Sequence, residues 1–172
     1  MTLGVKKVWD LPTRILHWTI AGAVLLNLFI LESGDPPHQW AGYTAFAAFF
    51  LRFIWGFIGG ELSRFRSFPI HPREVFSFSK SLALWKPREY PGHNPLASLA
   101  YFAIWACVAG LGISGWMMGL DRYWGEEWLE EIHANIGLAL QVLLGIHLFG
   151  VAIDACLHRR KSWMAMIDGK KR

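Results

Sequence analysis

EEIHANIGLALQVLLGIHLFGVAIDACL, residues 130–157, is the stretch whose reading decides the fold. It is long and apolar enough to cross a membrane, and it carries His133 and His147, 14 residues apart. At about 1.5 Å per residue that separation is about 21 Å, most of the depth of a hydrocarbon core. At about 100° per residue it is four turns less about 40°, so both imidazoles point to nearly the same face. Ionisable or ligating side chains inside a membrane are costly and mark function by default. One helix that offers an imidazole near each membrane face calls for two stacked sites, which other helices must complete.

The composition suits a membrane domain. The chain has 172 residues, of which 53% are hydrophobic and only 17% charged, with a mean hydropathy of +0.28. One compact domain over residues 1–172 is expected. Ten Trp and twelve Phe fit aromatic belts at two interfaces. The net charge of +4 does not point to nucleic acid, because the basic residues flank apolar runs and read as a topology signal. Cys107 and Cys156 show neither a C-x-x-C-H nor a paired zinc spacing, so free structural thiols are expected. The N-terminal apolar run ends in ESGDPP with no A-x-A site, and it does not read as a cleavable signal.

Four spans are expected, at about 15–31, 38–59, 96–120 and 131–157. A turn at 32–37 joins the first two, a long polar connection fills 60–94, and DRYWGEEW (121–128) joins the last two. Within the long connection, residues 73–85 read as a short helix on the membrane surface. Asn94 followed by Pro95 is a helix start signal. Of the 17 Lys and Arg, 15 lie in the two tails and the connection 60–94. The other two connections, together with the start of the last span, hold Arg122 against seven acids: Glu32, Asp35, Asp121, Glu126, Glu127, Glu130 and Glu131. The positive-inside rule puts both termini and the middle loop in the cytoplasm, which needs an even number of spans. The fold class is therefore all-α: an integral membrane four-helix bundle, multi-pass in a bacterial cytoplasmic (inner) membrane.

In that topology the histidines sort by depth. His38 and His133 form an outer pair, and His17 and His147 an inner pair. Imidazoles paired from facing helices are how a bundle holds a six-coordinate b-type haem. Gly42 and Gly137 each follow a histidine by four residues, where the lack of a side chain lets a flat macrocycle approach. The alternative for both is ordinary helix–helix packing. Arg52 follows His38 by 14 residues and suits a haem propionate by charge and bidentate geometry, against snorkelling to the interface. His93, in the PGHNP turn, is a further propionate contact or a helix cap. His71 and His158 read as solvated interfacial residues. Asp154 reads as a helix-end residue, a proton relay or a partner of Arg159 or Arg160.

VWDLPTRILHW (8–18), HQWAGY…RFIWGF (38–57), PGHNPL (91–96) and HANIGLALQVLLGIH (133–147) together resemble the bacterial cytochrome b561 family, which includes the b-type subunits of membrane-bound Ni/Fe-hydrogenases. The resemblance covers nearly the whole chain. It implies a four-helix membrane cytochrome with two haem b groups and, carried over by matching motif, the ligands His17, His38, His133 and His147. It also implies electron exchange with quinone and a redox partner protein. The expected function is transmembrane electron transfer between the quinone pool and a partner docked outside, a c-type cytochrome or a dehydrogenase or hydrogenase subunit. One haem near each face divides a barrier of about 30 Å into shorter tunnelling steps. The acidic segment 121–131 could steer a basic partner. Rival readings are a superoxide:quinone oxidoreductase, disfavoured by the acidic outer surface, a haem-containing membrane anchor, and a metal-ion transporter that would bind no haem.

Overall fold

A computed structural model describes residues 6–86, 88–157 and 162–171. Four long helices dominate it: α1 (Leu11–Phe29), α2 (Pro36–Ile58), α4 (Pro95–Met118) and α5 (Glu127–Leu157). A shorter α3 (Pro72–Ala83) lies between α2 and α4, and a single turn, α6 (Ala165–Asp168), follows α5. The principal packing partners are α1 with α2, α4 with α5, and α2 with α4.

Among the described residues, α2, α4 and α5 are long and apolar enough to cross a membrane. α1 does not reach that apolarity, although it has 19 residues and packs along α2. Arg14, His17 and Asn27 lie on it and dilute its hydrophobicity. Many large apolar side chains point outward, among them Phe29, Phe50, Leu138 and Phe149, each more than half exposed. A helix apolar on its outer as well as its inner faces is suited to lipid.

The helix boundaries differ from the sequence expectation in an instructive way. α1 begins at Leu11, four residues ahead of the expected Ile15. Asp10 caps it, its carboxylate accepting from the Thr13 amide at 2.9 Å, and Pro12 falls in the first turn, where its missing N–H costs nothing. α2 likewise starts two residues early, with Pro36 and Pro37 in its opening turn. α5 starts at Glu127 rather than about 131, and α4 ends at Met118 rather than about 120. The expected start at Asn94–Pro95 is present: Ala97 N–H donates to Asn94 Oδ1 at 2.8 Å. The short helix expected in the connection forms as α3, where the His71 ring accepts from the Arg73 amide at 3.3 Å. Both cysteines are free thiols.

The first and last described segments meet. Lys6–Lys7 (β1) pairs antiparallel with Lys170–Lys171 (β2), and Val8 and Trp9 donate their amides to the Gly169 carbonyl at 2.8 and 3.2 Å. Arg14 donates to Ile167 O and Trp18 to Met166 O. Val8, Trp9 and Ala165 form a buried cluster beside Leu62 and Met166. Residues 6–9 and 165–171, the start of α1 and the turn after α2 therefore share one end of the bundle.

Candidate functional site

The four histidines meet in two pairs. His17 and His147 have ring centroids 6.5 Å apart with planes inclined by 50°. His38 and His133 are 6.3 Å apart, inclined by 57°. The first pair joins α1 to the later part of α5, near the end of the bundle that holds the termini. The second joins the start of α2 to the early part of α5, at the opposite end. All four rings are half-buried. His17 thus lies beside His147, and His38 beside His133.

The spacing has chemical content. An imidazole nitrogen binds a metal at about 2.0 Å, and its ring centre lies roughly 1.2 Å further back, so two rings on opposite sides of one metal sit about 6.4 Å apart. Both pairs match that separation. Among the described residues no group of three or more His, Cys, Asp and Glu gathers as a metal site. Two imidazoles cannot complete a tetrahedral zinc shell, whereas a haem supplies four equatorial nitrogens of its own and needs only the axial pair.

The surroundings differ between pairs. His133 Nδ1 lies 2.8 Å from Ser114 Oγ on α4, and the Gly115 backbone lies against the same ring. His17 Nδ1 and His38 Nδ1 are buried with no hydrogen-bond partner among the described protein atoms. Beyond its own stretch of helix, no atom of the described residues lies within 4 Å of where a Cβ on Gly137 would stand. A Cβ on Gly42 would stand 3.5 Å from the Asn27 amide nitrogen, so that glycine lies along the α1–α2 contact.

Arg52 is 3% exposed and points between α2, α4 and the turn after α2. Its Nη2 donates to Ser63 O at 3.0 Å, while its Nη1 is buried with no partner. The guanidinium carbon lies 5.6 Å from the Tyr101 ring centre and 5.4 Å from that of Trp105. Such cation–π contacts stabilise a charge that has lost water. His93 stacks on Phe68, 4.9 Å between centroids, and lies 5.4 Å from Tyr101. Both residues singled out as propionate contacts therefore converge on Tyr101, whose hydroxyl is itself buried without a partner. Sequence reasoning passed over Tyr101 and Ser114. The available signal was depth: each falls on α4 at the level of a residue already chosen. His158, Arg159 and Arg160 lie outside the described residues, so the suggested partners of Asp154 do too.

The family model of prokaryotic cytochrome b561 matches residues 8–169. The chain belongs to the prokaryotic cytochrome b561 family. The protein is accordingly a membrane cytochrome of b type. It is similar to a probable Ni/Fe-hydrogenase B-type cytochrome subunit of Bradyrhizobium diazoefficiens, 24% identical over 95% of this chain and 85% of that protein. It is also similar to proteins of the same description from Rhodobacter capsulatus, 25% identical over 95% of this chain and 80% of that protein, and Cupriavidus necator, 29% identical over 60% of this chain and 53% of that protein. The first two alignments run over 210 and 213 positions, against 172 residues here, so those relatives carry internal segments that the cytochrome lacks. No solved structure matches the chain.

Proposed function

We propose that this cytochrome carries electrons across a bacterial inner membrane through two b haems. One is held by His17 and His147 and the other by His38 and His133. The observation that carries the reading is the repeated ring spacing, 6.5 and 6.3 Å, at both ends of one continuous helix. Each bound haem supplies a one-electron iron(III)/iron(II) couple. His17 with His147 and His38 with His133 would occupy the iron positions that oxygen would otherwise reach, which would favour electron transfer over oxygen chemistry.

The chain's own residues do the rest. α5 fixes the two sites about 21 Å apart along its axis. Gly137 leaves room for a flat ring beside the outer pair. Arg52 Nη1, buried without a partner, is the donor for an inner-haem propionate, with the His93–Tyr101 cluster behind it. α1 acts as the fourth span. Its start meets the end of α2 through Asp10, Trp55 and Gly60, and the paired termini need an even number of crossings. The basic end of the molecule then faces the cytoplasm.

Electrons pass between the quinone pool and a protein at the outer face. The relatives' description as hydrogenase subunits favours a hydrogenase or another dehydrogenase as that partner, docked near the acidic segment 121–131. The test is a pyridine haemochrome assay on purified protein, with reduced-minus-oxidised spectra. Two b haems per chain are expected, with one retained in His147→Ala and one in His133→Ala. A wild-type chain made with ample haem that contains none would overturn the reading. Full retention of both haems in the two variants would overturn the ligand assignment.

A further inference from the structure

Ser114 sits on α4 with its hydroxyl 2.8 Å from His133 Nδ1. The same oxygen lies 2.7 Å from the Gly110 carbonyl, one helical turn back, and 3.4 Å from that of Leu111. Serine has one proton to give. The Gly110 carbonyl can only accept, so the short contact to it takes the serine proton. Ser114 Oγ must then accept at its other side, and the donor there is His133 Nδ1–H. That assigns the tautomer of His133: Nδ1 carries the proton and Nε2 is left with its lone pair. Ser114 is 4% exposed, so water does not compete for this bond. Gly115, next in the chain, keeps the ring against the backbone of α4; a Cβ there would stand 3.4 Å from His133 Cε1.

The geometry points to Ser114 as the positioning residue of the outer haem site. Through the Gly110 carbonyl–Ser114–His133 relay it fixes the ring's tautomer and rotation, and it raises the donor strength of Nε2. This rests on the bis-histidine reading above. An acceptor on the outer N–H of a ligating imidazole pulls that proton, makes the ring more basic and stabilises the more oxidised metal. Among the described residues His133 has such a hydroxyl on its Nδ1, while Nδ1 of His17 and of His38 has no partner. The two sites are therefore unequal by construction, and Ser114 biases the potential of the outer one alone.

The test is redox potentiometry and low-temperature EPR on the full-length, haem-loaded protein in wild type, Ser114→Ala, Ser114→Thr and His133→Ala. In Ser114→Ala one midpoint potential should shift positive and one low-spin ferric signal should change, with the other haem's midpoint and signal unmoved. Ser114→Thr keeps the hydroxyl and should return both to wild type. Ser114→Cys, a weaker acceptor of similar size, should fall between and serves if the alanine variant does not fold. Two unmoved midpoints in a fully loaded Ser114→Ala would overturn the assignment, as would equal shifts at both haems. Loss of one haem in His133→Ala alongside a silent Ser114→Ala would sink the positioning role and leave the ligand assignment standing. Retention of both haems in His133→Ala would remove the ligand reading itself.

Discussion

Trp55 donates its indole N–H to both oxygens of the Asp10 carboxylate, at 3.2 and 3.1 Å, across 45 residues of sequence. The same carboxylate accepts from the Thr13 amide, the Gly60 amide at 3.0 Å and the Ser63 hydroxyl at 2.9 Å. Thr13 in turn donates to Ser63 Oγ, and the Ser63 carbonyl receives Arg52. One acidic residue thus caps α1, closes α2 and seats the turn on which the buried arginine rests. Asp10→Ala should cost about 2–3 kcal/mol, since it removes an N-cap and leaves partly buried donors unpaired. The check is the thermal midpoint of the detergent-solubilised protein. Asp10→Asn, which still caps but has one acceptor oxygen fewer, should lose less.

Acid should undo the same knot. Burial pushes the Asp10 carboxyl upward, but hydrogen bonds from Thr13, Trp55 and Gly60 outweigh it and hold the group down at about 2. A carboxylate with a depressed folded-state pKa contributes stability that is fully present above its ordinary value of 3.8 and is lost as pH falls toward about 2. Denaturation midpoints measured between pH 5 and 2 should therefore fall more steeply in wild type than in Asp10→Asn. Equal slopes would mean that the carboxylate is not the acid-sensitive group.

α2 and α4 touch through a glycine. A Cβ on Gly112 would run into the Phe46 ring and its Cβ, and the rings of Phe49 and Trp105 meet edge to face with centroids 5.2 Å apart. Gly112→Val should force the helices apart and destabilise the bundle by about 1–3 kcal/mol. Pairing it with Phe46→Ala should recover part of the loss in a double-mutant cycle.

Gly137 behaves differently. Beyond its own stretch of helix, no described residue stands within 4 Å of its missing Cβ, so the first carbon of a larger residue there meets open space. Gly137→Phe should leave helicity by circular dichroism unchanged while abolishing one haem's share of the Soret absorbance. A variant that keeps both haems would place the macrocycle elsewhere.

Periodicity, caps and charge asymmetry made the long helices legible, and a 14-residue spacing put His133 and His147 at two levels of one helix. Those signals are local or repeat along one helix. What escaped were features held by partners far away in sequence. Asp10 and Pro12 are a local start signal that the apolar run from Ile15 overshadowed, whereas the bonds Asp10 makes to Trp55 and Gly60 have no trace within residues 8–15. Ser114 and Tyr101 owe their places to side chains on other elements. The docking of residues 165–171 onto Val8, Trp9, Arg14 and Trp18 is backbone and indole pairing, to which hydropathy is blind. α1 was legible as a helix, yet its polar residues leave it the least membrane-like of the four long helices.

Because α5 runs unbroken through both His133 and His147, it acts as a phase-locked shaft. A single residue inserted between them would turn His147 by about 100° relative to His133 and slide it about 1.5 Å, so one ring must leave its mate. Inserting seven residues would restore the angle to within about 20° but carry the inner ring about 10 Å too deep. Conservative substitutions at its exposed positions can be absorbed, but changes in its length cannot. The 14-residue interval is therefore the part of the sequence that should tolerate no insertion or deletion, however conservative its chemistry.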